Sequence, residues 1–126
     1  MKTTPITIGR RTFALAFTLD ALGRMQAEIP GFDLSTMTAH VKTPDGLAAM
    51  IAIMAQQGEL LEGRALDVDR AWFGSHISPA PVRVAKLQIA VMNALAEGMR
   101  METEENEDEE TDEVLAEIKK KEETGA

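Results

Sequence analysis

Ile6-Thr7-Ile8-Gly9-Arg10-Arg11-Thr12-Phe13-Ala14-Leu15-Ala16-Phe17-Thr18-Leu19 is the stretch on which the fold turns. Apolar residues alternate with small or polar ones on either side of Gly9-Arg10, the period-two pattern of a half-buried β-hairpin. Glycine accepts the positive φ that opens a type II′ turn. With Gly9-Arg10 as a two-residue loop, Ile8 faces Arg11 and Ile6 faces Phe13, so Ile6, Phe13, Leu15 and Phe17 line one face. Two strands alone are marginal in water, and that face has to pack on helices.

Helical spacing takes over directly afterwards. Thr18 is placed to cap a helix whose Leu19, Leu22, Met25 and Ile29 recur on one side, and Pro30-Gly31 ends it. A short helix is expected around Ser35 to Val41. Thr43-Pro44-Asp45 then starts another, with Thr43 as cap, Pro44 at the first position and Asp45 near the positive helix end. Leu47, Met50, Ile51, Met54 and Ala55 form its buried stripe, and Gly58 is its expected stop. After a connector from Glu59 to Leu66, Asp67 is expected to cap a short helix carrying Trp72 and Phe73, which Gly74 weakens. Ser78-Pro79-Ala80-Pro81 introduces the longest helix, from about Pro81 to Met101. Its Val82, Leu87, Ile89, Val91, Met92, Leu95 and Met99 cover more than one face, which predicts a central position.

The expected fold class is mainly α: a short N-terminal β-hairpin packed on a small helical bundle over residues 1–101, followed by an acidic tail over 102–126. Glu102, Glu104, Glu105, Glu107, Asp108, Glu109, Glu110, Asp112 and Glu113 crowd into that tail, so self-repulsion with little to bury predicts disorder. Val114, Leu115 and Ile118, with a Glu117 to Lys121 pair, suggest a nascent helix over 112–122. The whole chain has 126 residues, a formal net charge of −8 and no cysteine. Disulfides, thiolate nucleophiles and Cys-ligated zinc are thereby excluded. A surface of that sign repels phosphate backbones and anionic lipid heads, so no nucleic-acid or membrane partner is expected. Every apolar run is too short to span a bilayer, and Met1 to Pro5 lacks the apolar block of a secretory signal. A cytosolic location is the expectation.

Chemistry-bearing constellations are few. His40 and His76 lie on different predicted helices with no acid or cysteine placed beside them, which leaves capping or surface roles. Asp67-Val68-Asp69 lacks the later glycine and glutamate of a calcium loop and is better explained by helix capping. Nucleotide-cradle, zinc-hydrolase and serine-hydrolase signatures do not occur. The sequence therefore predicts no catalytic, cofactor or metal residues, and a binding protein rather than an enzyme. Methionines serve either as adaptable core filling or as a surface for several partners. Trp72-Phe73 serves either as core or as a partner anchor. Met50, Met54, Leu61, Trp72, Phe73 and Met99 are the candidate partner-binding residues.

Ile6 to Met25, with its Thr18-Leu19-Asp20-Ala21-Leu22 helix start, resembles the opening of phage tail assembly chaperones, a hairpin feeding a helix. Gly58-Glu-Leu-Leu-Glu-Gly-Arg64 and Asp67-Val-Asp-Arg-Ala-Trp-Phe-Gly74 resemble members found in prophages of Gram-positive bacteria. The resemblance runs over essentially the whole body. It implies a protein that coats and solubilises the tape-measure protein, helps recruit tail-tube subunits in the host cytoplasm, and is absent from the mature virion. Weak self-association is a further expectation. It also implies a short form made before a programmed −1 frameshift, and Lys119, Lys120 and Lys121 are the candidate slippery position. A solvated basic patch is the alternative explanation of those lysines. Two rival functions stay open at this stage, a head-tail connector or neck protein and an acidic nucleic-acid mimic.

Overall fold

The computed structural model describes residues 2–106, with side chains as far as residue 100. Strand β1 (Thr4–Ile8) and strand β2 (Arg11–Leu15) form an antiparallel hairpin in the anticipated register, Ile8 opposite Arg11 and Ile6 opposite Phe13. Gly9 has φ 63° and, among the described residues, none other than glycine has positive φ, the combination a type II′ turn needs. Ile6, Ile8, Phe13, Leu15 and Phe17 are all buried. Pro5 sits opposite Ala14. Counting out from the turn, this is a non-hydrogen-bonded pair, so the missing proline N–H costs the ladder nothing.

Five helices follow: α1 (Leu19–Glu28), α2 (Met37–Val41), α3 (Pro44–Leu61), α4 (Arg70–His76) and α5 (Pro81–Asn106). The Thr18 hydroxyl accepts from Ala21 N to cap α1, and the Thr43 hydroxyl accepts from Gly46 N to cap α3. Pro44 stands at the start of α3, where its missing N–H goes unused. α3 is the centre. It packs on β2, α4, α1, α2 and α5, and buries Leu47, Met50, Ile51, Ile53, Met54 and Ala55.

At the end of β2 and just beyond it, outward N–H groups are claimed by α3: Ala14 N donates to Glu59 Oε2 at 3.2 Å and Ala16 N to the Met54 carbonyl at 3.1 Å. An exposed strand edge is thereby closed within the molecule. The hairpin and α4 are joined by aromatic contacts, with Phe13 edge-on to Phe73 and Trp72 at centroid distances of 5.0 and 5.5 Å. Arg11 lies over the Phe13 and Trp72 rings and pairs with Asp67 at 2.6 Å.

Several sequence expectations are corrected. Gly58 does not stop α3. It lies inside the helix because its missing side chain lets the backbone of Ala14 approach, and the helix ends one turn later. There Gly63, at φ 80°, donates to Leu60 O while Arg64 N donates to Glu59 O, a Schellman stop. Asp69, not Asp67, caps α4 by accepting from Trp72 N, because Asp67 is engaged with Arg11. Leu19 is 83% exposed, and Ala21 takes its place in the α1 stripe. α2 starts at Met37 rather than Ser35, since Asp33 holds Ser35 N and Thr36 N in a turn. α5 is not central: it lies along β1 and α2 and leaves a large part of its apolar surface exposed. It also continues to Asn106, past the expected end at Met101. The expected tail disorder beyond Asn106 and the nascent helix over 112–122 lie outside the described residues.

Candidate partner-docking surface

Three elements converge on an open apolar groove of about 480 Å³. The first turns of α3 contribute Pro44, Leu47 and Ala48, the connector after α4 contributes Ile77 and Pro79, and α5 contributes Val84 and Gln88. Lys42 is the one charged residue of the wall. The Thr43 cap fixes where α3 enters, and Gln88 Nε2 donates to the Val41 carbonyl at 3.4 Å, holding α5 against α2.

α5 extends this groove. Leu87, Val91, Ala94 and Leu95 face the core, whereas Val82, Ile89 and Met92 are 70%, 60% and 37% exposed. At about 100° per residue, Val82, Ala85, Ile89 and Met92 share a stripe that adjoins the one carrying Val84 and Gln88. The groove and the stripe therefore form one continuous apolar strip. Its borders are basic. Lys42 lies on one side and Lys86 and Arg83 on the other, and the sequence has no Asp or Glu between Arg70 and Ala96. Lys42, Arg83 and Lys86 make no ion pair among the described residues, whereas Arg11, Arg24, Arg64, Arg70 and Arg100 do. Arg83 instead donates to the Thr7 carbonyl.

None of the six candidate partner-binding residues lines this groove. Met50, Met54 and Phe73 are fully buried and fill the core, so no partner reaches them while the domain is folded. Trp72 is half-buried between Phe13, Phe73 and His76, whose imidazole stacks on it at 4.2 Å. Leu61 is 51% exposed but stands at the opposite end of α3 from the groove, and Met99 is 40% exposed toward the far end of α5. Lys119, Lys120 and Lys121 lie outside the described residues. The sequence signal for the groove was the apolar excess of α5, more than a single buried stripe needs.

Glu59, Asp67, Asp33 and the two histidines have structural partners. Glu59 is buried and accepts from Arg64 Nη2 at 2.8 Å, Arg64 Nε at 3.2 Å and Ala14 N. The Arg64 hydrogen bonds hold its carboxyl below the ordinary range against the opposing effect of burial, with Ala14 N assisting. A carboxylate kept ionised in this way is a strut for the hairpin and carries no proton to donate at neutral pH. Asp67 is lowered by its hydrogen bond from Arg11, and Asp33 by those from the Ser35 hydroxyl and Thr36 N. His76 Nδ1 lies 2.8 Å from the Trp72 carbonyl, and His40 sits beside the Phe32 ring. Among the described residues no group of His, Asp or Glu is arranged to hold a metal ion, and no helix is long and apolar enough to cross a membrane.

Comparison with known protein families, with curated proteins and with solved structures finds no match for this chain.

Proposed function

We propose that this protein is a non-catalytic binding protein, a phage tail assembly chaperone that holds apolar helical segments of the tape-measure protein on the strip formed by the groove and α5. The observation that carries the proposal is the exposed apolar face of α5 running into the groove beside Ile77 and Val84. A surface of this kind suits an amphipathic helix laid along it with its apolar side inward. From Val82 to Met92 the strip is about 15 Å long, enough for about three helical turns of a partner. The resemblance of the hairpin and first helix to tail assembly chaperones supplies the identity of that partner. In this proposal the protein works in the host cytoplasm and leaves before the virion is complete. Recruitment of tail-tube subunits then falls to a longer frameshifted form.

The proposal requires a tape-measure gene beside this one, and co-expression of this chain with its product tests it. The tape measure should stay soluble and co-purify with this chain. Val82→Asp and Ile89→Asp should abolish the complex while changing stability by no more than about 0.5 kcal/mol, as is usual for exposed positions. A tape measure that pellets equally with and without this chain sinks the chaperone reading. Retention of the complex by both variants moves the contact away from α5.

A further inference from the structure

The charge of this chain is divided sharply. Residues 1–101 hold ten Lys or Arg and nine Asp or Glu, whereas residues 102–126 hold three and twelve. The acidic segment also contains one apolar patch, Val114, Leu115 and Ile118, bordered by Asp112, Glu113 and Glu117. That pattern is the complement of the α5 strip, which is apolar along its middle and bordered by Lys42, Arg83 and Lys86.

We propose that in the free protein the segment Asp112–Ile118 docks in cis on the α5 strip, so that the chain covers its own docking surface until a partner helix displaces it. This proposal rests on the docking surface described above and adds its regulation. The reach is sufficient. Met92 lies about 21 Å and Ile89 about 26 Å back along the helix from Asn106, at 1.5 Å per residue, whereas residues 107–114 span about 26 Å and residues 107–118 about 40 Å when extended, so Val114 reaches Met92 and Ile118 reaches Ile89 with slack. The tether places the segment at a high effective concentration against the strip, of millimolar order for short flexible connections. An apolar patch too small to bind the strip from a separate molecule can therefore occupy it in cis. Opposite charges along both borders align the segment and make its docking sensitive to salt.

The absence of cysteine from the sequence makes a single labelling site straightforward. In the full chain carrying Ala116→Cys with a nitroxide, amide signals of Val82 to Met92 and of Lys42 to Ala48 should broaden strongly. Those of α1 around Gly23 should stay sharp. Ile89→Asp and Lys86→Glu, both at surface positions, should each weaken the broadening, and so should raised salt. Broadening that spares Val82 to Met92, or that spreads equally over α1 and α5, overturns the proposal. Isotope-labelled chain without nitroxide, mixed with unlabelled chain that carries it, separates a second copy as the occupant. Broadening in that mixture overturns docking in cis. The regulatory consequence is read separately: the double variant Leu115→Asp, Ile118→Asp should bind the tape measure several-fold more tightly than the parent chain. Equal binding by the two refutes displacement. Failure of both to bind refutes the chaperone reading and leaves the nitroxide result standing.

Discussion

Gly58→Ala should destabilise this protein although the residue lies inside a helix, where alanine normally gains about 1 kcal/mol over glycine. A Cβ built on Gly58 falls well inside contact distance of the Ala14 carbonyl and 2.9 Å from Leu15 N, all of it backbone of the buried strand β2. Ordinary carbon to oxygen contact begins near ~3.3 Å, so helix and strand must part by on the order of an ångström. That movement strains the Ala14 N to Glu59 and Ala16 N to Met54 hydrogen bonds, each worth about 1 kcal/mol. Overpacking against a backbone that cannot rotate away adds about 1–3 kcal/mol. After the helix gain is subtracted, the expected loss is about 3 kcal/mol, or on the order of 15 °C in melting temperature for a domain of this size. Gly23→Ala in α1 is the internal control, because a Cβ there meets nothing within 4 Å. It should stabilise by about 0.5–1 kcal/mol. Urea unfolding of the two variants beside the parent measures both. A Gly58→Ala protein as stable as the parent would refute the account of how α3 and the hairpin meet.

Glu59→Gln should lower stability at pH 7 and narrow the gap to the parent in acid. The folded carboxyl lies below its ordinary value, so its contribution is complete above the unfolded pKa and is lost as pH falls through the folded one. Unfolding midpoints at pH 7 and pH 3 test this, and a gap that stays constant contradicts it. Trp72→Ala should cost about 2–3 kcal/mol through its contacts with Phe13 and Phe73, yet leave tape-measure binding intact at a temperature where the domain remains folded. Lost binding in a folded variant would return Trp72 to the docking surface. The Lys119 to Lys121 codons should form an unbroken adenine run followed by a long open −1 frame, and mass spectrometry should find a minor product crossing between frames. Codons broken by guanine remove this prediction alone.

The hairpin was legible because its signal is local: alternation on both sides of a glycine admits one register, and Ile6 opposite Phe13 follows from it. Helix starts at Thr18 and Thr43 were equally legible, since a cap acts on amides three residues away. What the sequence hid depends on residues far apart along the chain. Gly58 has the look of a helix stop, and only the approach of Ala14 explains a glycine in mid-helix. Asp67 and Asp69 are equivalent as caps until Arg11, from the hairpin, takes the first of them. The methionines of α3 show the same limit. Periodicity places Met50 and Met54 on the buried stripe, but it cannot say that the stripe is wholly covered, which is what removes both from partner binding. The groove was legible only in part: the apolar excess of α5 marks one wall but reads equally well as a central helix, and its other walls, from α3 and the connector between α4 and α5, carry no distinctive motif.

The α5 helix explains why a chain of this size tolerates so much apolar surface. Its core-facing side already has Leu87, Val91, Ala94 and Leu95, and this domain needs no further anchoring from Val82 or Ile89. A helix that exposes a second apolar stripe invites association with any other apolar surface, including another copy of itself. Net charge of one sign opposes such encounters by long-range repulsion, and residues 102–126 supply all of it, since residues 1–101 are close to neutral and of slightly positive sign. The exposed stripe and the acidic segment are thus two halves of one solution. On the proposed function the stripe is what holds a partner, and the charge keeps copies with an uncovered stripe apart. Cutting away the acidic segment while keeping α5 should therefore favour self-association at low salt, where loss of repulsion is felt most, and Ile89→Asp in the same shortened chain should reverse it.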